Sequence, residues 1–508
     1  MNPLTGVARA SRVSSARHVV VPGPVLPGSG GRPLASAHED LSPWQPSAQD
    51  RWDARKARHL MRRAGFSAPG KDIDSLVKIG HKLAIDIVLL MPGEVIPVAG
   101  IFQLPHGELI NLSSRKESVA AWLYLMANSK WQLQEKMALF WHDHFATGIS
   151  KVRYPELMTR QINLFRREGL GNFRDLLIEV SADPAMLYWL DNRLSRARKP
   201  NENYAREIIE LFSMGVGSGY TEKDIQEAAR CFSGWYCILD RSVFQPRYHD
   251  FGQKQVLGKT IYNPKDGRQD GIDVIDAILA QPATAKYMVK KIWEYFVYLR
   301  PSQKLVDELA ARWRKDGYDI RALMEIILRS KAFFSSHAYR KLVKSPPEFV
   351  IGAMRQMNSS AVDYGYLSQL VGGMGLQLYD YSDPDGLEEG AAWINSQTVI
   401  NRSNFAMEFI RQGYSRLRYL PSSRSHLPPM DPWAEVKKHN LDTPDKIVDF
   451  YLELLVDSDV PKMVRSNLVA YMTRTDTGTR SWNAKQHVPE KVTGLCHLIL
   501  ALPEAQMN

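Results

Sequence analysis

Glu135-Lys-Met-Ala-Leu-Phe-Trp-His-Asp-His-Phe145 follows a turn signal at Asn128–Lys130 and reads as the end of a helix over Trp131–Phe145. The same texture continues on both sides. Upstream, Ile73, Leu76, Val77, Leu83, Ala84, Ile87 and Val88 recur at helical spacing over Asp72–Leu90. Gly80 is a weak point in that stripe and Pro92 stops it. Residues 93–112 read as irregular, and Ser118–Ala127 as a helix. Downstream, Met158–Glu168 and Phe173–Ser181 are helical, separated by Gly169–Asn172.

Asn201 is an N-cap after Pro200. In the helix that follows, Tyr204, Ala205, Ile208, Leu211 and Phe212 share one face. Glu202, Arg206 and Glu210 share the opposite face. Thr221 to Asp224 is a capping box with Asp in the usual Glu position, and Gly234 closes that helix. Only Trp235–Tyr262 changes texture, mixing aromatic and β-branched residues with turn signals, so a short hairpin is expected there. Helices then resume to the C-terminus, interrupted by a polar connector near 415–440. The expected fold is mainly α: one large multi-helical domain with a small β-hairpin element.

Composition agrees. The 508 residues are 44% hydrophobic and 24% charged, enough for a large core without covalent staples. Residues 1–48 are rich in Ser, Pro, Gly and Ala and are expected to be a disordered tail, leaving 49–508 as the domain. Three cysteines, Cys231, Cys237 and Cys496, argue against a disulfide framework. The net charge is +10, and Arg51–Arg63 carries six basic residues against Asp53. That segment suits a surface helix whose basic stems lie along apolar neighbours. Nucleic-acid binding would rest on net charge alone and ranks last. No apolar run is long enough to span a bilayer. Val19–Leu26 is short and broken by Pro22 and Pro24, so no signal peptide is evident and a cytoplasmic location is expected.

The candidate chemistry centres on His142 and His144. Imidazoles bind transition metals and titrate near neutrality, so a divalent metal is the cofactor they would suit. Residues two apart on a helix point about 200° apart, so the pair converges only if the helix ends near Trp141. Glu207 lies at the rim between the faces of its helix and is the candidate general base or ligand, beside Arg206. Glu202, Arg206 and Glu210 also fit an exposed ladder worth roughly 0.2–0.5 kcal/mol per pair. His249-Asp250 offers a further ligand or an orienting carboxylate. Tyr379–Trp393, with Asp383, Asp385, Glu388 and Glu389, reads as an acidic loop. No His-Glu-x-x-His, Glu-x-x-His on the Glu207 helix, Gly-x-Ser-x-Gly or correctly spaced phosphate loop occurs.

Several segments together resemble one family. They are Arg58-His-Leu-Met-Arg-Arg-Ala-Gly-Phe66, Phe140-Trp-His-Asp-His-Phe-Ala-Thr147, Asp183-Pro-Ala-Met186 and Asn201-Glu-Asn-Tyr-Ala-Arg-Glu207. Gly219-Tyr-Thr221, Ser233-Gly-Trp235, His249-Asp250, Lys344-Ser-Pro346, Trp393-Ile-Asn395 and Gly494-Leu-Cys-His-Leu-Ile-Leu500 follow in order. These look like the domain of unknown function 1800 family, over roughly residues 50–508. The resemblance implies a bacterial protein without a settled function. Many members are exported, which implies a periplasmic location despite the missing signal. It also implies a companion protein related to phosphatases and sulfatases. The matched segments add Asn203, Glu202, Trp393 and Asn395 as candidate binding residues. Members commonly carry Asn where this chain has Asp143.

Two functions are expected from these residues. The first is a hydrolase-like enzyme, metal-assisted in its sharpest form, with His142, His144, Glu207 and Arg206 at the site. The second is a non-catalytic helical binding or accessory protein that works with a partner enzyme.

Overall fold

The Gln132–His144 helix is buried on nearly every side, from Gln132 through His142 and again at His144. A helix in that position must find a partner for each polar side chain. For the most part it does, with only Gln134 Oε1 and the Nδ1 atoms of His142 and His144 left without one among the described residues of this helix: Gln134 donates to the Arg166 carbonyl at 3.0 Å, and Glu135 takes a bidentate pair from Arg166, with its closest contact at 2.8 Å. Trp122 donates to Glu135 at 3.1 Å, and Lys136 pairs with Glu348. The helices Arg115–Asn128 and Pro155–Glu168 pack against this spine.

This computed structural model describes residues 38–91, 95–97, 99–103, 109–238, 240–359, 362–387, 390–411, 430–474 and 488–508. Among them are 22 α-helices and three two-stranded antiparallel sheets, so the fold is mainly α with small hairpins. The β content exceeds the single expected hairpin. Trp235–Ile238 pairs with Arg241–Phe244, and Lys254–Val256 pairs with Lys259–Ile261. Ile101–Gln103 pairs with Leu109–Asn111 inside the stretch read as irregular. Three-residue strands carry too little periodicity to be told from loop.

Local signals behave as physics requires. Gly80, at φ 85°, splits Gly70–Ile79 from His81–Val88. Asn201 caps Glu202–Ile209 through the Asn203 amide, and Thr221 and Asp224 form their reciprocal box. The three cysteines are buried and free.

Three expectations need correction. The basic helix Ala54–Arg63 is not a surface helix along its length. Arg62 and Arg63 are buried: Arg62 pairs with Asp457 at 2.5 Å, and Arg63 donates to the carbonyls of Phe296 and Val297, the first at 2.9 Å. Those carbonyls end the helix Pro282–Phe296, where a cation is favoured. Next, residues 40–44 are bonded in place although they were counted in the tail. Ala332 donates to the Asp40 carbonyl, Trp44 to the Arg329 carbonyl, and Leu41 and Trp44 are buried. Two large apolar side chains in a short stretch give that segment enough burial to hold it. Residues 1–37 lie outside the described residues. Finally, the connector read over 415–440 lies outside them up to 429, and beyond that Pro432–Lys438 is a helix.

Among the described residues, no helix is long and apolar enough to cross a membrane.

Candidate functional site

The two histidines do not converge. The Gln132–His144 helix continues through both, with its C-cap at Phe145, so their rings leave the helix on different sides. His142 Nε2 accepts the backbone N–H of Tyr379 at 3.0 Å, and its ring packs edge-on to Trp122 and Tyr381. His144 Nε2 donates to the Phe212 carbonyl at 3.1 Å, among Phe140, Phe145 and Phe212. Burial pushes His142 down to about 3 and His144 well below the usual imidazole range. Both are therefore neutral, with the proton on Nδ1 in His142 and on Nε2 in His144. Among the described residues, no group of three or more His, Cys, Asp or Glu side chains is arranged to hold a metal ion.

What the histidines hold is informative. His142 fastens the acidic loop at Tyr379. His144 fastens the turn Glu210–Met214, which widens to π geometry at the end of the Glu202–Ile209 helix. The carbonyls of Leu211 and Phe212 in that turn are taken by the Tyr287 hydroxyl at 3.0 Å and by His144. Such turns occur often at functional sites. Asp143, between the two histidines, accepts the Leu387 amide at 3.1 Å. Gly386, at φ 79°, comes so near that an added Cβ would lie 2.7 Å from the Asp143 carbonyl oxygen. Consecutive residues at one helix end thus bind two chain segments together.

The carboxylates gather where those segments meet. Burial pushes Asp143 up to about 6; Asp385 raises it further, while Lys291, the Leu387 amide and Tyr381 pull it down. Burial and then Glu210 push Glu207 up to about 7; Asp385 adds to this and Arg206 opposes it. Asp385 thus acts on both Asp143, from one helix, and Glu207, from another. A narrow cavity of about 40 Å³, room for two or three waters, borders Asp143. Leu139, Leu376, Tyr381 and Trp393 are among its walls.

The other sequence candidates separate from this group. Arg206 is half-buried and committed to ion pairs with Glu202 at 3.5 Å, Glu210 at 3.4 Å and Glu222. Asn203 is exposed. Asn395 is the N-cap of Ser396–Ile410, accepting the Thr398 amide at 3.0 Å. Trp393 is two residues away and does reach the cavity beside Asp143.

His249 and Asp250 belong to a different cluster. His249 Nδ1 donates to the Ser233 carbonyl at 2.8 Å, and Nε2 faces Asp270 Oδ2 at 3.0 Å. Lys254 pairs with the same carboxylate and Asn263 donates to its other oxygen at 2.8 Å. Asp250 pairs with Arg230 at 2.8 Å. These are closed, satisfied interactions, and a Cβ on Gly267 would press into the His249 ring at 2.3 Å.

Sequence reasoning missed Asp143 and Lys291 as members of the group. Asp143 stood out as the spacer between two histidines and not as an acid, and Lys291 sits in no motif.

No curated protein and no solved structure matches the chain. A family model described as "Protein of unknown function (DUF1800)" matches residues 59–507. The chain belongs to the domain of unknown function 1800 family.

Proposed function

We propose that the chain is an acid–base enzyme, with hydrolysis as its reaction class and Glu207 as the group that exchanges protons. One observation carries this reading: Glu207 sits half-buried beside Glu210 and Asp385 and is raised to about 7. A carboxyl poised there is part protonated at neutral pH. It can give a proton to a leaving group and take one from water on the return step. Asp385 raises both Glu207 and Asp143, and Lys291 opposes the shift at Asp143. Asp143 is assigned no part in the chemistry, and the charged groups that act on Glu207 are Glu210, Arg206 and Asp385. The histidines act as positioning residues in this reading, and no metal is required of them.

The test is a panel of chromogenic carboxylic, phosphate and sulfate esters and glycosides, assayed across pH with wild type, Glu207→Gln and Asp143→Asn. Glu207→Gln should lose at least about 100-fold in kcat/KM. Asp385→Asn, assayed alongside, should keep activity with its pH profile displaced toward lower pH, and Asp143→Asn should keep the wild-type profile. Full activity in Glu207→Gln, or no turnover of any class by the wild type, would defeat the proposal.

A second reading has its own support. Ile79, Leu83 and Ile87 are exposed along the Gly70–Ile79 and His81–Val88 helices, and Leu90 is exposed just after them. An accessory protein that docks a companion of the phosphatase- or sulfatase-like kind would present such a stripe. Co-purification with that companion, abolished by Leu83→Ser and Ile87→Ser, would favour it.

A further inference from the structure

Arg196 and Arg247 stack on the same ring. Their guanidinium carbons lie 4.0 and 4.7 Å from the centroid of Tyr248. Arg193 lies 4.6 Å over Tyr188, and Arg198 and Lys199 are exposed on the same loop. Among the described residues none of these five forms an ion pair, although they lie close together in the fold. The acids nearest in sequence are already committed elsewhere: Asp191 to Lys151, Glu202 to Arg206, Asp240 to Arg160 and Asp250 to Arg230. The Arg196 guanidinium is held in place by the carbonyls of Arg193 and Ser195, at 3.0 and 2.9 Å. Tyrosine faces offset part of the repulsion between such close like charges, but a compensating anion offsets more.

The surroundings indicate which anion. Leu194 is 50% exposed and Ile238 is 49% exposed. The short helical turn Asn192–Leu194 packs against the strand Trp235–Ile238, and Arg196 lies 5.6 Å from the ring of Tyr236, which shares a strand face with Ile238. One guanidinium group lies over Tyr188 and two lie over Tyr248, which leaves less ring surface for stacked bases. A free inorganic anion would leave Leu194 and Ile238 in water. An anionic bilayer satisfies both: headgroup phosphates meet the arginines, and the aliphatic tips enter the headgroup boundary.

We propose that Arg193–Lys199, with Arg247, Leu194 and Ile238, is a docking surface for anionic lipid membranes. It is independent of the acid–base reading above. The test is cosedimentation of the full chain with phosphatidylcholine vesicles, with and without phosphatidylglycerol, at low and high salt. The wild type should bind only the anionic vesicles, and less at high salt. The triple variant Arg198→Glu, Lys199→Glu, Arg247→Glu changes exposed side chains that make no hydrogen bond among the described residues. It should weaken binding at least about tenfold. Leu194→Ser with Ile238→Ser should weaken binding at both salt concentrations. Lys437→Glu, one charge reversal on another surface, should bind as wild type. No binding of the wild type to anionic vesicles overturns the proposal, as does unchanged binding by the triple variant or equal loss with Lys437→Glu. Saturable binding of polyglutamate without vesicle binding would assign the surface to an acidic protein instead.

Discussion

Tyr379 donates its backbone N–H to His142 Nε2 at 3.0 Å, across 237 positions of sequence. The bond turns the imidazole into an acceptor, so the ring is neutral and serves as a fastener for the loop that carries Asp385 and Gly386. His142→Ala should leave that amide buried without a partner and open a cavity beside Trp122. The expected destabilisation is about 3 kcal/mol, read from urea unfolding. With the loop released, Asp143 should titrate closer to an ordinary carboxyl, measured by NMR of labelled aspartate. A stable variant with an unmoved Asp143 would contradict the fastening role.

The raised carboxyls make a pH prediction with a definite sign. Asp143 is held near 6 when folded, above its ordinary 3.8. Between those values the folded state binds more protons than the unfolded state, so this group's contribution to stability falls as pH rises from about 4 to about 6. The shift corresponds to about 3 kcal/mol at neutral pH. Asp143→Asn keeps an acceptor for the Leu387 amide and removes the charge. It should therefore be more stable than wild type above pH 6, with the advantage vanishing near pH 4. Parallel denaturation curves at pH 4 and pH 8 check it.

His144 supplies the opposite slope. Its folded pKa is depressed far below the usual imidazole value, so the unfolded state gains the proton first as pH falls below about 6.5. Stability is lost in that direction. His144→Gln retains an amide donor for the Phe212 carbonyl but cannot ionise, and its stability should fall less between pH 6.5 and 5 than that of wild type. An identical acid profile would argue that His144 carries a proton in the folded protein.

Gly386 should tolerate nothing larger. Its φ of 79° disfavours any side chain, and a Cβ would meet the Asp143 carbonyl oxygen at 2.7 Å. Gly386→Ala is expected to cost about 2 kcal/mol or more, measured by thermal unfolding. The same substitution at Gly217, where nothing lies within 4 Å, isolates the backbone part of the cost.

Within the spine, Glu135 and Arg166 form a buried bidentate pair, with side chains at 0% and 1% exposure. Glu135→Gln leaves Arg166 charged and undercompensated, and should destabilise the fold by about 3–5 kcal/mol. Glu135→Leu combined with Arg166→Met should recover part of that loss.

The sequence by itself determined the helical fold and much of its punctuation. Periodicity, N-caps and left-handed glycines act over a few residues, so the break at Gly80, the cap at Asn201 and the box at Thr221 were all readable. It also marked the Trp141–His144 end of the spine and the Glu207 helix as the place to look. Tertiary structure alone decided what those residues do. Whether His142 is free to bind a ligand or holds a backbone amide depends on Tyr379, and whether Glu207 is an ordinary surface acid depends on its burial, then on Glu210 and Asp385. Arg62 and Arg63 carried the same composition as a solvated face, yet Asp457 and two helix-end carbonyls draw them inside. Burial and charge act through space between segments distant in the chain, and no local pattern encodes which partner will arrive.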